Sequence, residues 1–271
     1  MPFPVILRTD VSGEVEAVAS DVEDFAVGNE AFSMVRSPSF GDSRANAQYV
    51  TAPVSHVAHK PAELLHIDAA AAPMALLTAW QFLFEPDHDH PNPLQPGLHR
   101  PVPLEGRKVL IIGAAGGVGH FAVQIAKLKS AHVTAVASTT HEAFLRDLGT
   151  DAFIDYTQSP PEKVARDLDL VLDMLGGPST GRFLRILKRA GALFPVFLGF
   201  RDTEETTARG VTVSATQVRS SGAQLQELGV LLADGTIRAA IDSTWPLEEA
   251  SAAHERAAKG HIRGKIVLTV A

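Results

Sequence analysis

Four glycines crowd one short stretch of this chain. Gly113, Gly116, Gly117 and Gly119 follow the apolar run Val109-Leu110-Ile111-Ile112 and open the apolar-faced segment Val118 to Leu128. A strand, a tight glycine turn and a helix in that order form the unit that cradles a dinucleotide. Gly116 lets the backbone approach a pyrophosphate, and Gly119 lets the helix pack closely on the strand. The first N–H groups of such a helix lack intrahelical acceptors and carry partial positive charge, which suits phosphate. Ala114 stands where the G-x-G-x-x-G form has its first glycine.

The next strand bears on which dinucleotide. An NAD-type site places Asp or Glu about 20 residues beyond the glycines, where it bonds the ribose 2′-OH. Nineteen positions beyond Gly119 stands Ser138, within Ala137-Ser138-Thr139-Thr140-His141. Three hydroxyls and an imidazole can hydrogen-bond a 2′-phosphate, which a carboxylate on that strand would repel. The expected cofactor is therefore NADPH. The same hydroxyls could instead cap the helix that begins near His141.

Two other clusters resemble chemistry less well. Gly177-Pro178-Ser179-Thr180-Gly181 matches the G-x-S-x-G nucleophile pattern, with Asp242 and His254 or His261 downstream in triad order. Its preceding strand is expected to stop near Leu175, too early for a sharp strand-to-serine elbow, so a second strand–helix turn is the expectation. Asp87-His88-Asp89-His90, with His99, could ligate a metal. Six prolines between Pro86 and Pro103 exclude a rigid helix or central strand there, so a solvated loop is expected and no metal site.

The elements around these residues alternate. From Lys108 onward, strands are expected at Val109–Ile112, Val133–Ala137, Ala152–Asp155, Leu168–Met174, Ala192–Leu198 and Val211–Val218. Helices are expected at Val118–Leu128, His141–Leu148, Arg182–Lys188 and Ala223–Ala233, with a last strand at Lys265–Val270. Continuous apolar strands between helices imply a doubly wound parallel sheet covered on both faces. Before it, Ala69–Phe84 reads as a helix. Gly13–Val18, Gln48–Val50 and Val54–Val57 read as short strands in loop-rich ground. The expected division is a dinucleotide-binding domain over 70–235 and a smaller β-rich domain from 1–69 with 236–271.

Composition narrows the partners. A 45% hydrophobic and 20% charged chain of 271 residues builds an ordinary globular core. A net charge of −7 without a Lys/Arg cluster argues against nucleic acid. The absence of cysteine excludes thiolate nucleophiles, disulfides and cysteine-based zinc sites. Met1 to Asp10 shows no signal-peptide pattern, and no apolar run approaches the ~20 residues of a membrane helix, so a cytoplasmic location is expected.

Taken together, these motifs resemble the zinc-independent quinone oxidoreductases of the medium-chain dehydrogenase/reductase superfamily. Phe25 to Phe32 is similar to the family's G-D-E-V turn, Leu77-Thr78-Ala79-Trp80 to its helix before the cofactor domain, and Ala114 to Gly119 to its A-x-G-G-V-G turn. Leu148-Gly149-Thr150-Asp151, Ile154-Asp155-Tyr156, Asp173 to Gly177 and Gly264 to Leu268 follow in family order. The resemblance implies a Rossmann-type domain beside a GroES-like one, and hydride transfer from NADPH to a quinone or α,β-unsaturated carbonyl. It implies that Gly116, Gly117 and Val118 contact the pyrophosphate, that Ser138, His141 and Tyr156 surround the 2′-phosphate, and that Thr78, Phe197 and Leu198 lie at the nicotinamide end. The branch has no universal catalytic acid, so no catalytic residue is assigned.

The chain departs from the family in four respects. His141 replaces the usual Lys or Arg, and Arg8 stands where the family tends to have glycine. The loop from Pro86 to Pro103 is longer. The chain also opens well inside the family's catalytic domain, so a shortened GroES-like domain with weak turnover is the expectation, and an exposed sheet edge could be covered in a homo-oligomer. The alternative is an NADPH-binding protein without catalysis.

Overall fold

The computed structural model describes residues 8–35, 45–86, 98–196, 200 and 204–270. In chain order the elements are β1 (Asp10–Glu14), β2 (Glu30–Met34), β3 (Val57–His59), α1 (His66–Ala71), α2 (Pro73–Phe84), β4 (Lys108–Ile112) and α3 (Gly119–Leu128). Then come β5 (His132–Ala137), α4 (Glu142–Asp147), β6 (Ala152–Asp155), α5 (Pro161–Val164), β7 (Leu168–Asp173) and β8 (Leu187–Pro195). The last are α6 (Glu204–Arg209), β9 (Thr212–Val213), α7 (Gly222–Ala233), β10 (Ile241–Pro246), α8 (Ala250–Ala258) and β11 (Lys265–Thr269). No helix among the described residues is long and apolar enough to cross a membrane.

The chain divides into two compact units. One comprises the described residues from Ala79 to Gln217 and holds a six-stranded sheet ordered β6-β5-β4-β7-β8-β9. Every neighbouring pair in that sheet is parallel. Counted from β4, this is the 3-2-1-4-5-6 order of the doubly wound dinucleotide fold. Val109, Leu110, Ile111 and Ile112 are all buried, because β4 is central and covered on both faces. On one face Leu110, Ile112, Val136, Val171 and Leu193 pack with Phe183 and Leu184. The expected α/β class and parallel sheet are thus present.

Three local expectations change. The helix expected over Arg182–Lys188 is a 3-10 segment, Pro178–Ile186, and β8 already begins at Leu187, which pairs with Leu168. The strand expected over Val211–Val218 pairs only at Thr212–Val213. Gln48–Val50 makes no strand.

The other unit joins the described residues up to Thr78 with those from Val218 onward. β1, β2 and β3 form an antiparallel sheet, with β1 and β2 in register from Asp10↔Met34 to Glu14↔Glu30. The ladder therefore lies earlier in the chain than the expected Gly13–Val18 strand. β10, α8 and β11 form a strand–helix–strand unit with parallel strands, which brings Lys265 Nζ 3.4 Å from Asp10 Oδ2. Asp10 Oδ1 also accepts from the Met74 N–H at the start of α2 (2.9 Å), tying β1 to that helix.

α7, expected in the dinucleotide domain, belongs to this unit. Its Gly222 lies against the Val57 carbonyl so closely that a Cβ would collide, and Gly229 faces the Phe32 ring. Residues 70–78 likewise fall in this unit rather than with 79–217. Small residues at the contact let α7 sit directly on the β2–β3 pair.

Arg8 adopts φ +73°, the left-handed region that favours glycine. A side chain there costs roughly 1–2 kcal/mol, and the unfolded-state freedom of glycine offsets part of that. Arg8→Gly is expected to stabilise the chain by about 0.5–1 kcal/mol, raising Tm by about 1–3 °C at this size. An unchanged or lower Tm by scanning calorimetry would refute the strain.

Candidate functional site

The sheet order reverses between β4 and β7, so the crevice beyond their carboxyl ends is where an open α/β sheet binds ligand. The glycine turn forms one wall. Gly113 leaves β4 at φ +71°, and its carbonyl accepts the Gly116 N–H at 3.0 Å. A Cβ on Gly119 would collide with the Gly113 carbonyl oxygen and stand 2.8 Å from Cα and O of Ala114. Only glycine lets α3 begin this close to the turn, as its position in the motif implied. No side chain caps the start of α3 at Val118, which leaves that end without a protein acceptor from a capping residue.

His120, just beyond the glycine motif, anchors the turn from inside. It is fully buried, and its Nδ1 lies 3.0 Å from the Gly116 carbonyl oxygen. A carbonyl only accepts, so Nδ1 carries the proton. The His120 backbone N–H reaches the same oxygen at 3.1 Å. The only sequence signal was its place directly after Gly119.

The second wall comes from the end of β7. The Met174 N–H donates to the Ile112 carbonyl (3.3 Å), continuing the ladder. A Cβ on Gly113 would stand 3.4 Å from Met174 Cβ and 3.5 Å from the Leu175 side chain. The buried Asp173 holds this loop. Its Oδ1 accepts the Leu175 and Gly176 N–H groups at 3.0 and 3.1 Å, and its Oδ2 accepts the Thr180 hydroxyl at 2.7 Å.

The ends of β5 and β6 lie side by side, with Ala137 opposite Asp155. Ser138, largely buried, shares a hydrogen bond with Thr140 (Oγ to Oγ1, 2.8 Å). The Tyr156 N–H donates to the Ala137 carbonyl at 3.2 Å, and the Tyr156 side chain is exposed. His141 ends the 3-10 turn that follows Ser138, its N–H bonded to the Ser138 carbonyl. Ser138, His141 and Tyr156 are thus gathered at one corner of the sheet.

That corner also holds a carboxylate. Asp155 Oδ2 accepts from the Thr139 hydroxyl and from Gln158 Nε2 (3.0 Å). Its Oδ1 accepts from the Thr157 hydroxyl (2.7 Å) and the Thr157 N–H (2.8 Å). The Thr139 bond, followed by those from Thr157, lowers its pKa to about 2.

Thr78 lies in the other unit, buried in α2, with its hydroxyl donating to the Met74 carbonyl at 2.6 Å. Phe197 and Leu198 fall outside the described residues.

Of the decoys, Ser179 sits in the 3-10 segment after Gly176 and Gly177, at φ +61° and +86°. That is a slack double-glycine turn rather than a nucleophile elbow. Asp87, His88, Asp89 and His90 lie outside the described residues, but His99 is not solvated as expected. It is buried, with Nε2 2.9 Å from the Phe82 carbonyl oxygen and Nδ1 3.0 Å from Ser214 Oγ. The carbonyl fixes the proton on Nε2, so Nδ1 accepts from the serine and both nitrogens are engaged. Phe194 packs edge-on at 4.7 Å between ring centres. Among the described residues no group of three His, Asp or Glu side chains is placed to hold a metal.

Comparison with known proteins gives this geometry its relatives. The family described as zinc-binding dehydrogenases matches residues 148–268. A mitochondrial NAD(P)H oxidoreductase of Danio rerio is 31% identical over 99% of this chain and 73% of its own length. A chloroplast envelope quinone oxidoreductase homolog of Arabidopsis thaliana is 30% identical, over 98% of this chain and 80% of its own. The solved quinone oxidoreductase of Coxiella burnetii superposes with a TM-score of 0.84 at 29% identity, covering 99% of this chain and 80% of that one. With the parallel sheet, the glycine turn and these relatives together, the chain belongs to the zinc-independent quinone-oxidoreductase branch of the medium-chain dehydrogenase/reductase superfamily.

Proposed function

We propose that this protein is an NADPH-dependent oxidoreductase that reduces a quinone or an α,β-unsaturated carbonyl. The observation that carries it is the turn itself. Gly119 has the backbone of Gly113 and Ala114 where a Cβ would stand, so α3 begins directly at the glycine turn, at the reversal point of the sheet. Relatives named as NAD(P)H and quinone oxidoreductases support the same class.

In this reading the N–H groups of Gly117 and Val118 hold the pyrophosphate against the uncapped end of α3, and Gly116, whose own N–H stays on the Gly113 carbonyl, contacts it through its bare Cα. Ser138, His141 and Tyr156 surround the 2′-phosphate, and the family resemblance assigns Thr78, Phe197 and Leu198 to the nicotinamide end. A reduced nicotinamide, when bound, supplies a hydride to an electron-poor acceptor. The chain's contribution is to orient, to exclude water and to hold the acceptor in place, which alone is worth several orders of magnitude in rate.

Isothermal titration is expected to give NADPH at least tenfold tighter than NADH, because no acidic residue ends β5. Loss of NADPH absorbance on mixing with 1,4-benzoquinone tests the transfer. Equal affinity for the two cofactors would sink the assignment of NADPH, and binding without absorbance loss would sink the reductase.

A further inference from the structure

We infer that Asp155 is a specificity-determining residue that holds the preference for a 2′-phosphate below what the hydroxyls at the end of β5 would otherwise confer. The inference rests on the dinucleotide reading above and sharpens it at one atom group. Asp155 closes β6 directly opposite Ala137, so its carboxylate stands beside the Ser138–Thr140 corner. Four donors fill it: the Thr139 hydroxyl, the Thr157 hydroxyl and N–H, and the Gln158 amide.

Two consequences follow from that bonding. First, a carboxylate has about four acceptor sites, and four donors already use them. Asp155 therefore has little capacity left to accept from a ribose 2′-OH, the service an NAD-type acidic residue performs. Its charge remains, held ionised by the same bonds. That charge does nothing for NADH and repels a 2′-phosphate nearby.

Second, a hydroxyl has a single proton. Thr139 gives its proton to Asp155, so it meets an incoming phosphate with lone pairs only. The Ser138–Thr140 pair likewise keeps one of its two protons internal. The corner looks hydroxyl-rich in sequence, yet its nearest carboxylate engages one of its donors.

Asp155→Asn changes both terms while keeping the shape. The asparagine oxygen can still accept from the Thr157 N–H and hydroxyl. Its NH2 group can donate to Thr139 Oγ1, which frees the threonine proton for phosphate, and Gln158 can turn its amide to accept. The charge disappears in the same step. Asp155→Ser removes the charge with a smaller group. Asp155 is half-buried at a strand end outside the apolar core, so both variants are expected to fold.

The experiment titrates wild type, Asp155→Asn and Asp155→Ser with NADPH, NADH, 2′,5′-ADP and 5′-ADP, at low and high salt. The expected result is about tenfold tighter NADPH and 2′,5′-ADP in the variants, with NADH and 5′-ADP within about twofold of wild type. The gain should shrink as salt screens the charge. A purely structural role would move all four ligands together, and that outcome overturns the inference. So does an unchanged or smaller NADPH-to-NADH ratio in folded variants. If wild type binds none of the four, the dinucleotide reading itself fails, which is a different result from binding with an unaltered ratio.

Discussion

Gly117→Asp is expected to yield a folded protein that no longer binds NADPH. Gly117 is partly exposed in the turn, between Gly116 and the start of α3. The turn is held by bonds that do not involve it: Gly116 N–H to the Gly113 carbonyl, and the His120 ring and N–H to the Gly116 carbonyl. A carboxylate at a helix N-terminus is favourable for the helix by about 0.3–1 kcal/mol. It would therefore leave the fold unharmed while occupying the ground, and carrying the charge, of a pyrophosphate. The expected loss in NADPH affinity is at least about a hundredfold, roughly 2.7 kcal/mol. Titration of a variant whose melting temperature matches wild type makes the test. Retained affinity would move the cofactor away from this turn.

The same motif separates residues that serve the fold from residues that serve the ligand. The sequence pattern alone treats Gly116, Gly117 and Gly119 alike. The structure distinguishes them, because Gly119 has backbone where its Cβ would be and Gly116 has the Gly113 carbonyl oxygen at 3.3 Å. A change at Gly119 strikes the packing of α3, whereas a change at Gly117 is expected to strike the ligand.

What was legible in the sequence was local. The run Val109 to Ile112 is apolar at every position, and the glycines follow at once, so the β4–turn–α3 unit could be placed from the residues. The polar end of β5 was equally plain. Asp155 was visible as a strand end, but its grip on Thr139 depends on the β5–β6 register, which no single strand encodes. Its charge reaches the end of β5 only through that register.

Elements whose partners are distant in sequence were harder to assign. α7 has the composition of a helix covering a parallel sheet, and only Gly222 and Gly229 signal its close seat on β2 and β3. β2 was hidden in a segment read as a turn, although Phe32 and Met34 alternate with Ala31 and Ser33. Phe183 to Leu187 fits a helix or a strand by apolar pattern, and strand pairing of Leu187 with Leu168 decides where the 3-10 segment ends. His99 stands among prolines and polar residues, yet it is buried against Phe82 and Phe194.

Asp173 carries the largest expected effect on both stability and site. It lies opposite Ile112 at the end of β7, buried, and accepts two backbone N–H groups and the Thr180 hydroxyl. Asp173→Ala would leave these three donors without their acceptor. Each buried unsatisfied donor costs about 1–3 kcal/mol. Entering water recovers part of this, so a net loss of about 2–4 kcal/mol is expected, or about 5–15 °C in Tm. The loop that Asp173 holds brings Met174 and Leu175 against Gly113. Releasing it should weaken NADPH by about tenfold, through lost positioning rather than lost contact. Asp173→Asn serves as the control. Its oxygen can keep both backbone N–H groups, and its NH2 can donate to Thr180 once that hydroxyl turns to accept, so a cost below about 1 kcal/mol is expected. Urea unfolding and NADPH titration of both variants give the answer. If the alanine variant is as stable as the asparagine one, the carboxylate does not hold the loop. If it is destabilised but binds NADPH normally, the loop of β7 is not a wall of the site.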